Sequence, residues 1–111
     1  MTLCDLTDKT CKPCEGGVAP LTLQEAEEAM PQVEGWILGE DGKIISRSFR
    51  FKDFYQTMAF VNAMAWIANS EDHHPDFSAG YNTCEIGYTT HAIGGLSEND
   101  FICAAKINAL L

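Results

Sequence analysis

All three histidines of the chain, His73, His74 and His91, fall within nineteen consecutive residues. Imidazoles that converge can act as acid and base at once near neutral pH, because their ordinary pKa lies at about 6.5. A hairpin supplies a way to converge. Phe77, Ala79 and Tyr81 alternate with Ser78 and Gly80, and Cys84, Ile86 and Tyr88 alternate with Glu85, Gly87 and Thr89. This marks strands over 77–81 and 84–91. A two-residue turn at Asn82-Thr83 would pair Tyr81 with Cys84, Phe77 with Tyr88 and His74 with His91. Directly opposed residues carry Cβ atoms about 4.5–5.5 Å apart, so His74 and His91 are expected to face each other, with His73 beside them. Proton transfer by the three imidazoles is the reading this favours. Two others stay open: a polar helix-to-strand connection without chemistry, and a histidine metal site with Asp72 or Glu71 as the acid behind a ligand.

Other residues have both a chemical and a packing reading. Asp100 suits a helix start, and Trp36 and Phe77 are either core aromatics or a wall for a flat ring. Cys4, Cys11 and Cys14 lie in the first twenty residues, and Cys11-Lys12-Pro13-Cys14 is half of a structural zinc motif. No nearby fourth Cys or His completes it, so free thiols are expected. Five cysteines is an odd number, which argues against a secreted disulfide framework and for reduced thiols in the cytoplasm. Met1-Thr2-Leu3-Cys4-Asp5 has neither a basic nor an apolar leader region.

The elements that must position these side chains are legible from caps and periods. Residues 1–20, rich in Gly and Pro, are expected to form an extended arm, and 21–111 a single domain. Thr22 and Glu25 form a capping box before a stripe of Leu23, Ala26, Met30 and Val33, which Pro31 should end. A hairpin follows, from Trp36 to Phe51 around Asp41-Gly42, with Phe49 and Phe51 facing the core. Asp53 caps a helix over 54–68 that is apolar on nearly every side, more than one small sheet can cover, so a homo-oligomer is expected. Ser97 and Asp100 open the last helix. The order helix-hairpin-helix-hairpin-helix predicts an α+β domain, a four-stranded antiparallel sheet with helices packed on one face.

The chain has 111 residues, one domain's worth. Sixteen acids against seven bases give a net charge of −9. Phosphate backbones and anionic membrane surfaces require the opposite balance, so neither nucleic acid nor membrane is expected as a partner. The longest stretch without Asp, Glu, Lys or Arg, 54–70, falls short of the ~20 apolar residues of a membrane span.

These residues resemble the pterin carbinolamine dehydratase family, in a bacterial-type form. The resemblance covers about residues 21–109. It rests on Gly35-Trp36, Phe49-Arg50-Phe51-Lys52-Asp53-Phe54, Asp72-His73-His74-Pro75-Asp76-Phe77, Tyr81-Asn82, Thr89-Thr90-His91 and Gly95-Leu96-Ser97-Glu98-Asn99-Asp100. Where the family usually has an acid four residues before the first histidine, this chain has Asn69, and Phe77 stands where animal members carry Trp. The resemblance implies dehydration of a 4a-hydroxytetrahydropterin to quinonoid dihydropterin, in tetrahydrobiopterin biosynthesis and recycling. The catalytic residues would be His73, His74 and His91, the substrate-binding residues Trp36, Asp72, Pro75, Phe77 and Asp100. It implies no metal and no organic cofactor, a homodimer or homotetramer, and a functional link to an aromatic amino acid hydroxylase. The runner-up implied by the family is a non-catalytic coactivator-like scaffold.

Overall fold

The computed structural model describes residues 6–12 and 19–111, so the expectations for Cys4 and Cys14 lie outside the described residues. Helix α1 (Leu23–Ala29) starts at Thr22, whose hydroxyl accepts from the Glu25 amide while the Glu25 carboxylate accepts from the Thr22 amide. Pro31 then turns the chain through a short 3-10 segment, Met30–Gln32. Strands β1 (Ile37–Leu38) and β2 (Ile45–Arg50) pair antiparallel, Ile37 with Ser46, in the register that centres on Asp41-Gly42. Gly42 sits at φ +71°, a conformation that favours glycine.

Helix α2 (Phe54–Glu71) is capped by Asp53, which accepts from the Gln56 amide at 2.9 Å. Strands β3 (Asp76–Ala79) and β4 (Thr83–Tyr88) follow, and α3 (Glu98–Asn108) ends the chain. The sheet order is β1-β2-β4-β3, antiparallel throughout. Ile45 and Phe49 of β2 and Cys84, Ile86 and Tyr88 of β4 are buried on one face, with Phe60 and Met64 of α2 and Phe101 and Ile107 of α3 in the same core. Ser46, Ser48 and Glu85 are exposed on the other. The fold is therefore the expected α+β arrangement, helices on one face of a four-stranded sheet.

The second hairpin departs from expectation in two ways. Ala79 pairs with Cys84 and Phe77 with Ile86, so the turn centres on Tyr81-Asn82, one residue earlier than the Asn82-Thr83 turn. Contacts outside the hairpin explain this. Thr83 pairs with Arg50 of β2, the Asn82 carbonyl accepts from the Phe51 amide at 2.7 Å, and the Tyr81 carbonyl accepts from the buried Thr57 hydroxyl at 3.0 Å. Moving a turn centre by one residue shifts each partner by two, which keeps the buried faces and changes the pairs. In addition, β3 begins at Asp76 and β4 ends at Tyr88, with His91 in the 3-10 turn His91–Ile93. His74 and His91 are therefore not opposed across a ladder.

Candidate active site

The end of α2 aims the first histidine. Asp72 adopts the left-handed conformation (φ 53°, ψ 43°), its amide reaching the Asn69 carbonyl and the His73 amide the Ala68 carbonyl at 3.0 Å. That is the bond pattern of a Schellman cap, usually made by glycine and tolerated by aspartate. The chain reverses there, and His73 Nε2 comes to 2.6 Å from Asp100 Oδ1. The His73 ring stacks on Tyr88 with centroids 5.4 Å apart and planes 9° from parallel, and the Tyr88 hydroxyl donates to the His73 carbonyl.

Asp100 is wholly buried. Its other oxygen, Oδ2, accepts from the Thr90 hydroxyl at 2.8 Å and from the Ser97 amide at 2.9 Å. The residue thus serves both the helix start foreseen for it and the histidine. Burial disfavours an imidazolium at His73, but the hydrogen bond and charge of Asp100, helped by the charges of Cys103 and Asp72, outweigh it, and the His73 pKa rises above the ordinary histidine value. A half-buried imidazole kept basic by a fixed carboxylate can donate a proton at neutral pH and take one back.

His74 and His91 join His73 on one cleft of about 480 Å³, with Asp72, Glu71, Thr89, Thr90, Ala92, Asn99 and, from the N-terminal segment, Cys11 and Lys12. His91 is exposed, its Nε2 3.8 Å from Asp76 Oδ2. The structure therefore gathers the three histidines at one end of the sheet through connecting segments rather than through strand pairing. Pro75 is half-buried between His74 and Asp76. Among the described residues no group of three or more His, Cys, Asp or Glu is arranged around a common metal position.

Two residues expected near a substrate lie elsewhere. Trp36 is 6% exposed in the core, its ring against Phe49 and Tyr88, and its Nε1 donates to Asn108 Oδ1 at 2.9 Å. Arg47 donates to the same oxygen at 2.7 Å. Phe77, on the edge strand, lines a shallow depression on the open sheet face with Ile37, Ser48 and Ser78. Glu71, the acid near Asn69, accepts from the Cys11 amide and pairs with Lys106. Thr90, Tyr88 and the 6–12 segment were missed as site residues. The inward alternation of Tyr88 was readable, but nothing local announces that residues 11 and 12 reach the cleft.

Comparison with known proteins bears on this cleft. A family model described as pterin 4 alpha carbinolamine dehydratase matches residues 19–110. A Nitrosomonas eutropha protein provisionally named pterin-4-alpha-carbinolamine dehydratase is 64% identical over 98% of this chain and 96% of its own length. The crystal structure of a transcriptional coactivator/pterin dehydratase from Brucella melitensis is similar with a TM-score of 0.78 at 36% identity, covering 82% of this chain and 97% of that one. A pterin dehydratase-like RuBisCO assembly factor of the alpha-carboxysome shares the fold, with a TM-score of 0.60 at 23% identity over 69% of this chain and 89% of its own.

Proposed function

The chain belongs to the pterin 4 alpha carbinolamine dehydratase family of hydro-lyases, and from that premise we propose that its histidine cleft removes water from a 4a-hydroxytetrahydropterin by general acid and base catalysis. The observation that carries the mechanism is the 2.6 Å pair of half-buried His73 with buried Asp100, opening on a cleft shared with His74 and His91. Expulsion of the C4a hydroxyl needs a proton, and closure of the N5–C4a double bond releases one from N5. Asp100 occupies Nε2 of His73 and keeps the ring basic, which leaves Nδ1 to protonate the departing hydroxyl. His74 or His91 takes the N5 proton, and the N5 electron pair becomes the new double bond as the C–O bond breaks. Each proton transfer contributes on the order of 10²–10⁴ in rate. The products are water and quinonoid dihydropterin.

Of the proposed substrate contacts, Asp72 lies on the cleft wall, and Pro75 follows His74 in the chain. Trp36 supports the site from the core, since its ring touches Tyr88 and Tyr88 carries His73. Service to an aromatic amino acid hydroxylase in tetrahydrobiopterin recycling, a cytoplasmic location and assembly as a homo-oligomer complete the reading. The assembly is supported by Tyr55 and Trp66 of α2, which are 84% and 72% exposed. The test is dehydration of a synthetic 4a-hydroxytetrahydropterin with and without chelator. Catalytic acceleration that chelator leaves unchanged supports the proposal, and a rate equal to buffer overturns it.

A further inference from the structure

The N-terminal segment is attached to α2 and α3 at the edge of the cleft by a set of contacts that the dehydration chemistry does not use. Leu6 is buried in the core. The Cys11 amide donates to Glu71 Oε1 at 2.7 Å, the Lys12 amide to Asn99 Oδ1 at 3.0 Å, and Asn99 Nδ2 to the Lys12 carbonyl at 2.5 Å. These bonds bring Cys11 Sγ to 3.6 Å from Cys103 Sγ, across 92 positions of sequence. The fold makes this thiol pair, since it brings together residues 92 positions apart.

We propose that Cys11 and Cys103 are a redox modification site, forming a reversible disulfide that pins residues 6–12 to α3 along one wall of the histidine cleft. The two sulfurs are in van der Waals contact, and a disulfide requires them to close by about 1.5 Å. Cys11, on an irregular segment, can move that far while α3 stays fixed. Access is divided between the two thiols. Cys11 is half-buried and lines the cleft, so a small oxidant reaches it, whereas Cys103 is fully buried. Electrostatics divide them in the same way. The Cys11 hydrogen bond, against the cost of burial, favours the thiolate at Cys103, aided by the charge of His73 and the Tyr88 hydroxyl, while Cys11 is held as the thiol.

With a low-molecular-weight disulfide such as glutathione disulfide as oxidant, the step balances. The Cys103 thiolate, 3.6 Å away, takes the Cys11 proton as Cys11 attacks one sulfur, and the departing glutathione thiolate takes that proton in turn, which restores the Cys103 thiolate. The Cys103 thiolate then attacks Cys11 Sγ of the mixed disulfide and expels the second glutathione thiolate. Two protein sulfurs are oxidised and one external disulfide is reduced, the Cys11 proton ends on the first glutathione, and the second glutathione thiolate takes its proton from water. Cys103 plays the resolving role because it is buried, preformed as the nucleophile and already in contact with Cys11.

The experiment treats the full chain, and a Cys4→Ser/Cys14→Ser variant of it, with glutathione disulfide, then maps peptides by mass spectrometry without reduction. The expected result in both is loss of two hydrogens and a dithiothreitol-sensitive link between Cys11 and Cys103. In the double variant that link disappears with Cys11→Ser, and its formation raises the melting temperature by at least about 5 °C, because the cross-link closes a loop of ~90 residues. A wild-type chain that instead joins Cys11 to Cys14 or Cys4 overturns the proposal, as does one that stops at a glutathione adduct on Cys11. Neither readout requires turnover, so failure here is distinguishable from failure of the dehydratase reading.

Discussion

Replacing Asp100 by asparagine changes charge with little change of shape, and its consequences can be worked through atom by atom. An asparagine carbonyl in place of Oδ2 still accepts from the Thr90 hydroxyl and the Ser97 amide. Its amide nitrogen then faces His73 Nε2 and can only donate, so Nε2 must become an acceptor and the ring a neutral imidazole protonated at Nδ1. The carboxylate that offset burial is gone, so the His73 pKa falls from above the ordinary value to below it. A charge-assisted hydrogen bond contributes about 1.5–3 kcal/mol where a neutral one contributes about 0.5–1.5, so the variant should lose about 1–2 kcal/mol. The sign with pH follows from linkage. A histidine whose folded pKa is raised adds stability that is fully present below its unfolded pKa of about 6.5 and fades as pH rises through the folded value. Urea unfolding of both proteins should therefore differ most below about pH 6.5 and draw together as pH rises through the folded His73 value, which a pair of measurements at low and high pH reads. Dehydration at neutral pH should fall on the order of 10²-fold, and NMR titration of His73 should show its midpoint moving down. Equal stability differences at the two pH values, with full activity retained, would refute the reasoning.

Three further outcomes follow from where side chains sit. Trp36→Phe removes a hydrogen bond to Asn108 and some core volume but nothing from the cleft. It should cost about 1–3 kcal/mol in denaturant unfolding and leave kcat within about twofold. Asn69→Glu should leave the dehydration rate within about twofold, since Asp100 already holds His73 at 2.6 Å. A gain of tenfold would show that an orienting acid is lacking. Light scattering at micromolar concentration should report at least a dimer, with Trp66→Glu shifting it toward monomer, because Trp66 is 72% exposed on an apolar helix surface.

What could be foreseen in the chain divides by the range of the interactions that decide it. Caps are local. Thr22 with Glu25 and Asp53 with Gln56 lie three residues apart, and both form as expected. Face assignment is nearly local, because alternation puts Ile45, Phe49, Cys84, Ile86 and Tyr88 inward whatever their partners. Pairing is not local. The second hairpin's register is settled by Thr57 and Phe51, which lie about 25–30 residues from the turn, so a turn signal read from Asn82-Thr83 alone missed it by one. The site followed the same division. The three histidines were identifiable as a group, and they do share a cleft, but through a helix cap at Asp72 and a 3-10 turn at His91 rather than a ladder. Asp100 was visible as a helix-start residue, while its bond to His73, 27 residues away, and the 3.6 Å approach of Cys11 to Cys103 exist only once α3 has packed.

The central claim is that His73, His74 and His91 carry the reaction. The measurement is the dehydration rate of a synthetic 4a-hydroxytetrahydropterin with each single alanine variant, on backgrounds shown by circular dichroism to be folded. Each variant should lose at least about tenfold, with His73→Ala/His91→Ala costing less than the product of the two single losses if they share one proton-transfer task. Wild-type rates in all three folded variants would contradict it and leave the cleft to a scaffold role.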